Sequence, residues 1–266
     1  MSWAPSNLAE VLAGVAAGRP LGAAPALMPR SDGPCLLYPG KIHELAAEPE
    51  SGKGWIALGE TARLLALGTR VLYIDLEDTA EVVVERLDAL GVNHAQISAG
   101  LTHIKPSGEP STAELGWLFT APFQLVVVDG VSSAYGMLGL DEYAPDGVQR
   151  FFDQLLNPLA DQGAAVLAVD HVVKDSKTRG RYAAGSQRKL GLTAVAYGIT
   201  VLNRPDRRTP GRLALIVRKD RHGAVRAVSA RDPQGDYIAA HIHVEPTEGG
   251  RRVSVTAHPP HDGGIA

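Results

Sequence analysis

Short apolar runs and periodic apolar stretches alternate along the middle of this chain. Residues 42–47, 70–76 (RVLYIDL), 124–129 (QLVVVD) and 164–170 (AAVLAVD) are nearly continuous apolar segments, the pattern of strands covered on both faces. Between them lie stretches with helical spacing: 55–67, stopped by Gly68; 78–90, closed by Gly91; 115–119; and 148–159. Asp78 with Glu81, and Ser111 with Glu114, have the spacing of a reciprocal cap at a helix start. Strands alternating with helices predict an α/β fold, a mainly parallel sheet flanked by helices.

The pattern changes after Ala196. Residues 197–202, 212–219, 225–230, 237–244 and 252–257 are strand-like runs separated by turn residues. With no helix expected between them, they predict C-terminal antiparallel strands. At the other end, 7–17 is a short amphipathic stretch after a candidate Ser6 cap, broken up by Gly18, Pro20 and Pro25. The expected organisation is an arm with a short helix (1–34), a core (35–258) and a Pro-Gly-His-rich tail (259–266).

Composition narrows the picture. The chain has 266 residues, 45% of them hydrophobic, enough for one substantial core. The formal net charge is −3, so any nucleic-acid surface must come from local clustering of Lys and Arg. Cys35 is the single cysteine, which excludes an internal disulfide framework and fits a reducing compartment. There is no run of about 18 apolar residues and no leader pattern. The expectation is a cytoplasmic protein without membrane contact.

Candidate chemistry lies at the ends of the apolar runs. Glu48-Pro49-Glu50-Ser51-Gly52-Lys53-Gly54-Trp55 follows a predicted strand and opens a predicted helix, the setting in which backbone amides surround phosphates and a lysine reaches the terminal ones. Against the pattern G-x-x-x-x-G-K-[ST], Ala47 replaces the first glycine and Gly54 the hydroxyl residue that ordinarily ligates Mg2+. Glu77, at the end of the second run, is the candidate base for an attacking water. Asp129 ends the third run and is the candidate Mg2+ carboxylate. His171, after the fourth, is placed to sense a terminal phosphate. The stretch beyond it concentrates positive charge: Lys174, Lys177, Arg179, Arg181, Arg188 and Lys189 can neutralise a nucleic-acid backbone, with Tyr182 available to stack on a base. His241 and His243 share a strand face with no cysteine or acid spaced to join them, so no zinc site is expected.

In this order the motifs LLYPGKIHELAAEPESGKGW, VLYIDLEDTAEVVVERLDALGV, LVVVDGV, DHVVKDSKTRGRYAAGSQRKL and IVRKDRHG resemble the RecA-like P-loop ATPases. They are most similar to the cores of hexameric replicative helicases of the RepA and DnaB kind and to actinobacterial and actinophage RecA-like ATPases. The resemblance implies a RecA-like P-loop NTPase core that binds ATP and Mg2+ through Lys53, Glu77, Asp129 and His171. It further implies that Lys219 and Arg221, in a K-x-R-x-G strand end, reach into a neighbouring subunit's nucleotide. A homo-oligomeric ring, by implication a hexamer, or a filament on single-stranded DNA follows. The expected activity is a DNA-stimulated ATP hydrolase acting as a helicase or translocase in replication or recombination. The alternatives are a core-only single-strand-binding or annealing protein and an ATP-binding regulator with weak or no turnover.

Overall fold

The structure is a computed structural model, and it describes residues 5–18, 24–172, 188–205 and 208–260. The chain begins with α1 (Leu8–Ala16) and a hairpin of β1 (Leu27–Pro29) and β2 (Cys35–Leu37). The α/β part follows: β3 (Ile42–Ala47), α2 (Lys53–Ala66), β4 (Val71–Asp75), α3 (Ala80–Ala89), α4 (His94–Gly100), β5 (Leu101–Ile104), α5 (Thr112–Leu118), β6 (Leu125–Asp129), α6 (Val131–Met137), α7 (Pro145–Phe151), α8 (Asn157–Asp161), β7 (Ala165–His171) and α9 (Arg188–Leu192). The last part is β8 (Val195–Asn203), β9 (Gly211–Asp220), α10 (Ala224–Ala227), β10 (Ala230–Arg231), β11 (Tyr237–Thr247) and β12 (Arg252–His258).

Nine strands run in the order β10-β11-β9-β8-β3-β7-β6-β4-β5, and β12 pairs with the free side of β11. The segment from β8 to β5 is parallel, and β8, β9 and β11 continue antiparallel. The predicted fold is therefore present, with β8 as the hinge of the two halves: it is parallel to β3 on one side and antiparallel to β9 on the other. Alternation along the central strands feeds two cores. Leu125 and Val127 face the layer of α2, α3 and α4, while Val126 and Val128 face α5 to α8. No helix among the described residues is long and apolar enough to cross a membrane.

Several local expectations are corrected. The first helix is capped by Asn7, whose side chain accepts from the Glu10 amide, and not by Ser6. Strand β1 falls inside the expected arm, yet its Leu27 and Met28 are core residues, packed with Leu36 and Leu37 of β2. Helix α3 starts after Thr79 because Asp78 is drawn to Arg86 (2.7 Å); the Ser111–Glu114 box forms as predicted. The helix expected over 148–159 is widened into a π turn at Phe152–Leu156, where Pro158 lacks the amide that would bond to the Gln154 carbonyl. The strand expected over 225–230 is instead α10 followed by β10. There the Ala224 and Val225 amides donate to the Tyr38 hydroxyl and the Arg226 amide to Asp220, bending the chain into a turn that buries Val225.

Candidate functional site

The phosphate-type loop forms where β3 hands over to α2. Gly52 caps the helix with φ +88°, and a Cβ there would lie 2.7 Å from Leu213 Cδ1, so this position needs glycine on two counts. No side chain caps α2, so its first amides, at the positive end of the helix dipole, are left for an anion. The Lys53 ammonium folds back onto the loop, donating to the carbonyls of Ala47 (2.9 Å) and Glu48 (2.8 Å). Burial pushes its pKa below the usual lysine range, against the opposing pull of Glu77 and Asp129.

Strands β4, β6, β7 and β3 are neighbours, and their C-terminal ends place three more groups at the same edge. Asp75, fully buried, accepts from the amides of Glu77 (2.9 Å) and Asp78 (2.8 Å) and so shapes the turn that carries Glu77. Glu77 Oε1 then lies 2.7 Å from His171 Nε2, and His171 Nδ1 lies 3.3 Å from Lys53 Nζ. An ammonium only donates, so Nδ1 is the acceptor and Nε2 carries the proton given to Glu77. The result is a chain from Lys53 through His171 to Glu77. Gly130, at φ +93°, lets this turn approach: a Cβ there would come 3.1 Å from Glu77 Cγ.

Asp129 accepts a 2.8 Å hydrogen bond from the Tyr73 hydroxyl. Burial raises its pKa to about 6; the Tyr73 bond works against the rise, and Glu77 and Asp75 add to it. Glu77, Asp129 and His171 line one cleft of about 590 Å³ with the loop and its Lys53, Trp55, Asp78, Arg86 and Arg204. Of the predicted nucleotide-binding residues, Pro49 to Trp55 line the cleft, and Glu48 enters through its carbonyl. A larger cavity of about 740 Å³, bordered by Ile104, Trp117 and Met137, lies beside α5 and holds none of these catalytic candidates.

The other predicted residues lie elsewhere. Lys189, expected on a nucleic-acid surface, is buried: its ammonium sits 2.9 Å from both Asp170 and Glu142, over the Tyr135 ring. A side chain held there is withdrawn from any phosphate backbone, and that expectation is corrected. Arg188 is exposed and donates to Gln149 (2.7 Å). Lys174, Lys177, Arg179, Arg181 and Tyr182 fall outside the described residues. Lys219 and Arg221 lie at the opposite edge of the sheet, where β3 begins, because Asp220 pairs with Val195 and Val195 with His43. Lys219 donates to the carbonyls of Leu190, Gly191 (3.1 Å) and Thr193 (2.7 Å), and Arg221 to that of Gly191, so together they close the C-terminal end of α9.

The sequence reading missed Asp75, Tyr73 and Arg86. Asp75 ends the same apolar run as Glu77, and only the fold shows which acid turns inward. For Mg2+ the residues present fit poorly. Gly54 supplies no hydroxyl, one oxygen of Asp129 is already engaged by Tyr73, and the described residues hold no group of three or more His, Cys, Asp or Glu side chains that could bind a metal ion.

A parallel sheet whose strand ends gather a phosphate-type loop, its lysine, a glutamate and a half-buried aspartate defines a P-loop nucleotidase domain. A family profile described as AAA domain matches residues 15–177, more than half of the chain. The chain belongs to this family of P-loop ATPases, which is related to the RecA and helicase type. A search of curated proteins returned no match.

Proposed function

We propose that the chain is a DNA-dependent ATPase of RecA-like type, hydrolysing ATP between the subunits of a homo-oligomeric ring or filament as it moves along or unwinds single-stranded DNA. The observation that carries the reading is the hydrogen-bonded chain Lys53–His171–Glu77. An incoming triphosphate competes for the Lys53 ammonium, which leaves the loop carbonyls for the phosphate oxygens. That withdrawal frees His171 Nδ1 and so alters the hold of the imidazole on Glu77. Glu77 then has its carboxylate at the cleft wall, where it orients water and accepts its proton. Lys219 and Arg221, remote from their own subunit's cleft, serve a neighbour's site. The basic run that follows His171 in sequence, with Lys174, Lys177, Arg179 and Arg181, contacts the DNA backbone.

Gly54 favours a second reading, a nucleotide-binding module that coats or anneals single strands, or senses ATP, with little turnover. Steady-state ATP hydrolysis with and without single-stranded DNA separates the two, using the native chain, Lys53→Ala and Gly54→Ser. DNA-stimulated turnover lost in Lys53→Ala supports the motor. Absence of turnover in the native chain, with turnover gained in Gly54→Ser, overturns it in favour of the binding module.

A further inference from the structure

The missing hydroxyl of the loop coincides with a cation from another helix. A Cβ at residue 54 would stand 4.0 Å from Arg86 Nη1, the nearest atom among the described residues apart from its chain neighbours and the backbone of its own helix. Arg86 comes from α3, which packs beside α2, and its side chain lines the same cleft as Lys53, Glu77 and Asp129. Its bond to Asp78 (2.7 Å) holds the guanidinium at the cleft wall and employs one of five N–H donors. Both members of that pair are more than a third exposed, so the remaining donors are open to a ligand. The charge is also felt at the Tyr73 hydroxyl that holds Asp129, where it opposes the rise in pKa caused by burial.

We infer that Arg86 is a second phosphate-binding cation of this site, standing where a metal ion bound to a residue-54 hydroxyl would otherwise stand. The ligand class is a nucleoside di- or triphosphate taken without a divalent ion. The inference rests on the reading of the cleft as a nucleotide site. A guanidinium matches the geometry of a phosphate with two parallel hydrogen bonds, which a lysine does not. Glycine at 54 leaves that approach clear, whereas a serine there would bring a competing hydroxyl beside Nη1. Asp78 gives the guanidinium its orientation and, by neutralising part of its charge, tempers its grip.

The test is binding of a fluorescent ATP analogue to the full chain by anisotropy, in excess EDTA and in excess Mg2+, for native protein, Arg86→Gln and Lys53→Ala. Thermal unfolding establishes that each variant is folded. Native affinity is expected to agree in the two buffers within about threefold, and Arg86→Gln to lose about tenfold or more in EDTA, the scale of one charge-assisted bond. Native binding that collapses in EDTA, or Arg86→Gln that binds as tightly as the native chain there, overturns the inference and leaves the nucleotide site standing. Failure of the native chain to bind in either buffer, or undiminished binding by Lys53→Ala, sinks the nucleotide reading itself.

Discussion

Two clusters of charge sit back to back on strand β7, and they are built to opposite ends. His171 faces the α2 layer, where it links Lys53 to a half-exposed Glu77. Asp170, one residue earlier, faces the other layer, where Lys189 and Glu142 enclose it with a 3.2 Å bond from Ser132. The inner cluster has its ion pairs closed, with Lys189 and Asp170 buried. The outer one is provisional: its lysine is engaged by loop carbonyls that a better anion can displace, and its carboxylates crowd each other at the mouth of a cleft. Charges that stabilise a fold are spent on each other, whereas charges that serve a ligand are held in reserve.

Substitutions in either cluster test this difference. The largest effect is expected in the outer cluster from Glu77→Gln, which should lower ATP turnover by roughly 10²–10⁴-fold, the range for removal of a positioned base, with unfolding unchanged. An unaltered rate in a steady-state assay would remove Glu77 from the chemistry. In the inner cluster, Lys189→Met leaves Asp170 buried without its counter-charge and should cost about 3–5 kcal/mol in urea or thermal unfolding. If it behaves like a surface substitution, Lys189 does not hold the inner cluster together.

Asp129 belongs to the outer cluster yet pays a burial cost. Its folded pKa of about 6 lies above the reference value of 3.8, so the folded state binds more protons between these values and stability falls as pH rises through that window. Asp129→Asn keeps an acceptor for Tyr73 and should be more stable than the native chain by on the order of 2–3 kcal/mol at pH 8. That difference should close as pH falls to about 4; a gap independent of pH would mean that the carboxyl titrates normally. The smallest effect is expected for His171→Gln, whose exposed pair with Glu77 contributes under about 1 kcal/mol to unfolding, in contrast to Lys189.

The parallel half was legible because each buried strand is an unbroken apolar run and each functional acid or lysine stands at its end. Ser111 and Glu114 were legible because a capping box is wholly local. What escaped depended on partners distant in sequence. Residues 225–230 read as a strand, but Tyr38, 186 and 187 residues earlier, captures the amides of Ala224 and Val225. Lys189 sits in a run of basic residues that reads as surface, and nothing local reveals that Asp170 and Glu142 will enclose it. Asp78 has capping-box spacing with Glu81 and was diverted by Arg86, the residue that also stands beside Gly54.

The closing strand of the sheet has a kinetic consequence. Gly59 of α2 is pressed against Val255 of β12, where a Cβ would come within 2.8 Å, and Arg30 donates to the carbonyls of Val228 and Ala239, 198 and 209 residues further on. Contacts of such separation form late, since the entropy of closing a long loop must be met before they stabilise anything. During synthesis, the helix that opens at the phosphate loop therefore emerges long before its cover does. Its apolar flank waits, exposed, for the final strand, and a chain interrupted before Arg252 would present that flank to aggregation instead of to a nucleotide.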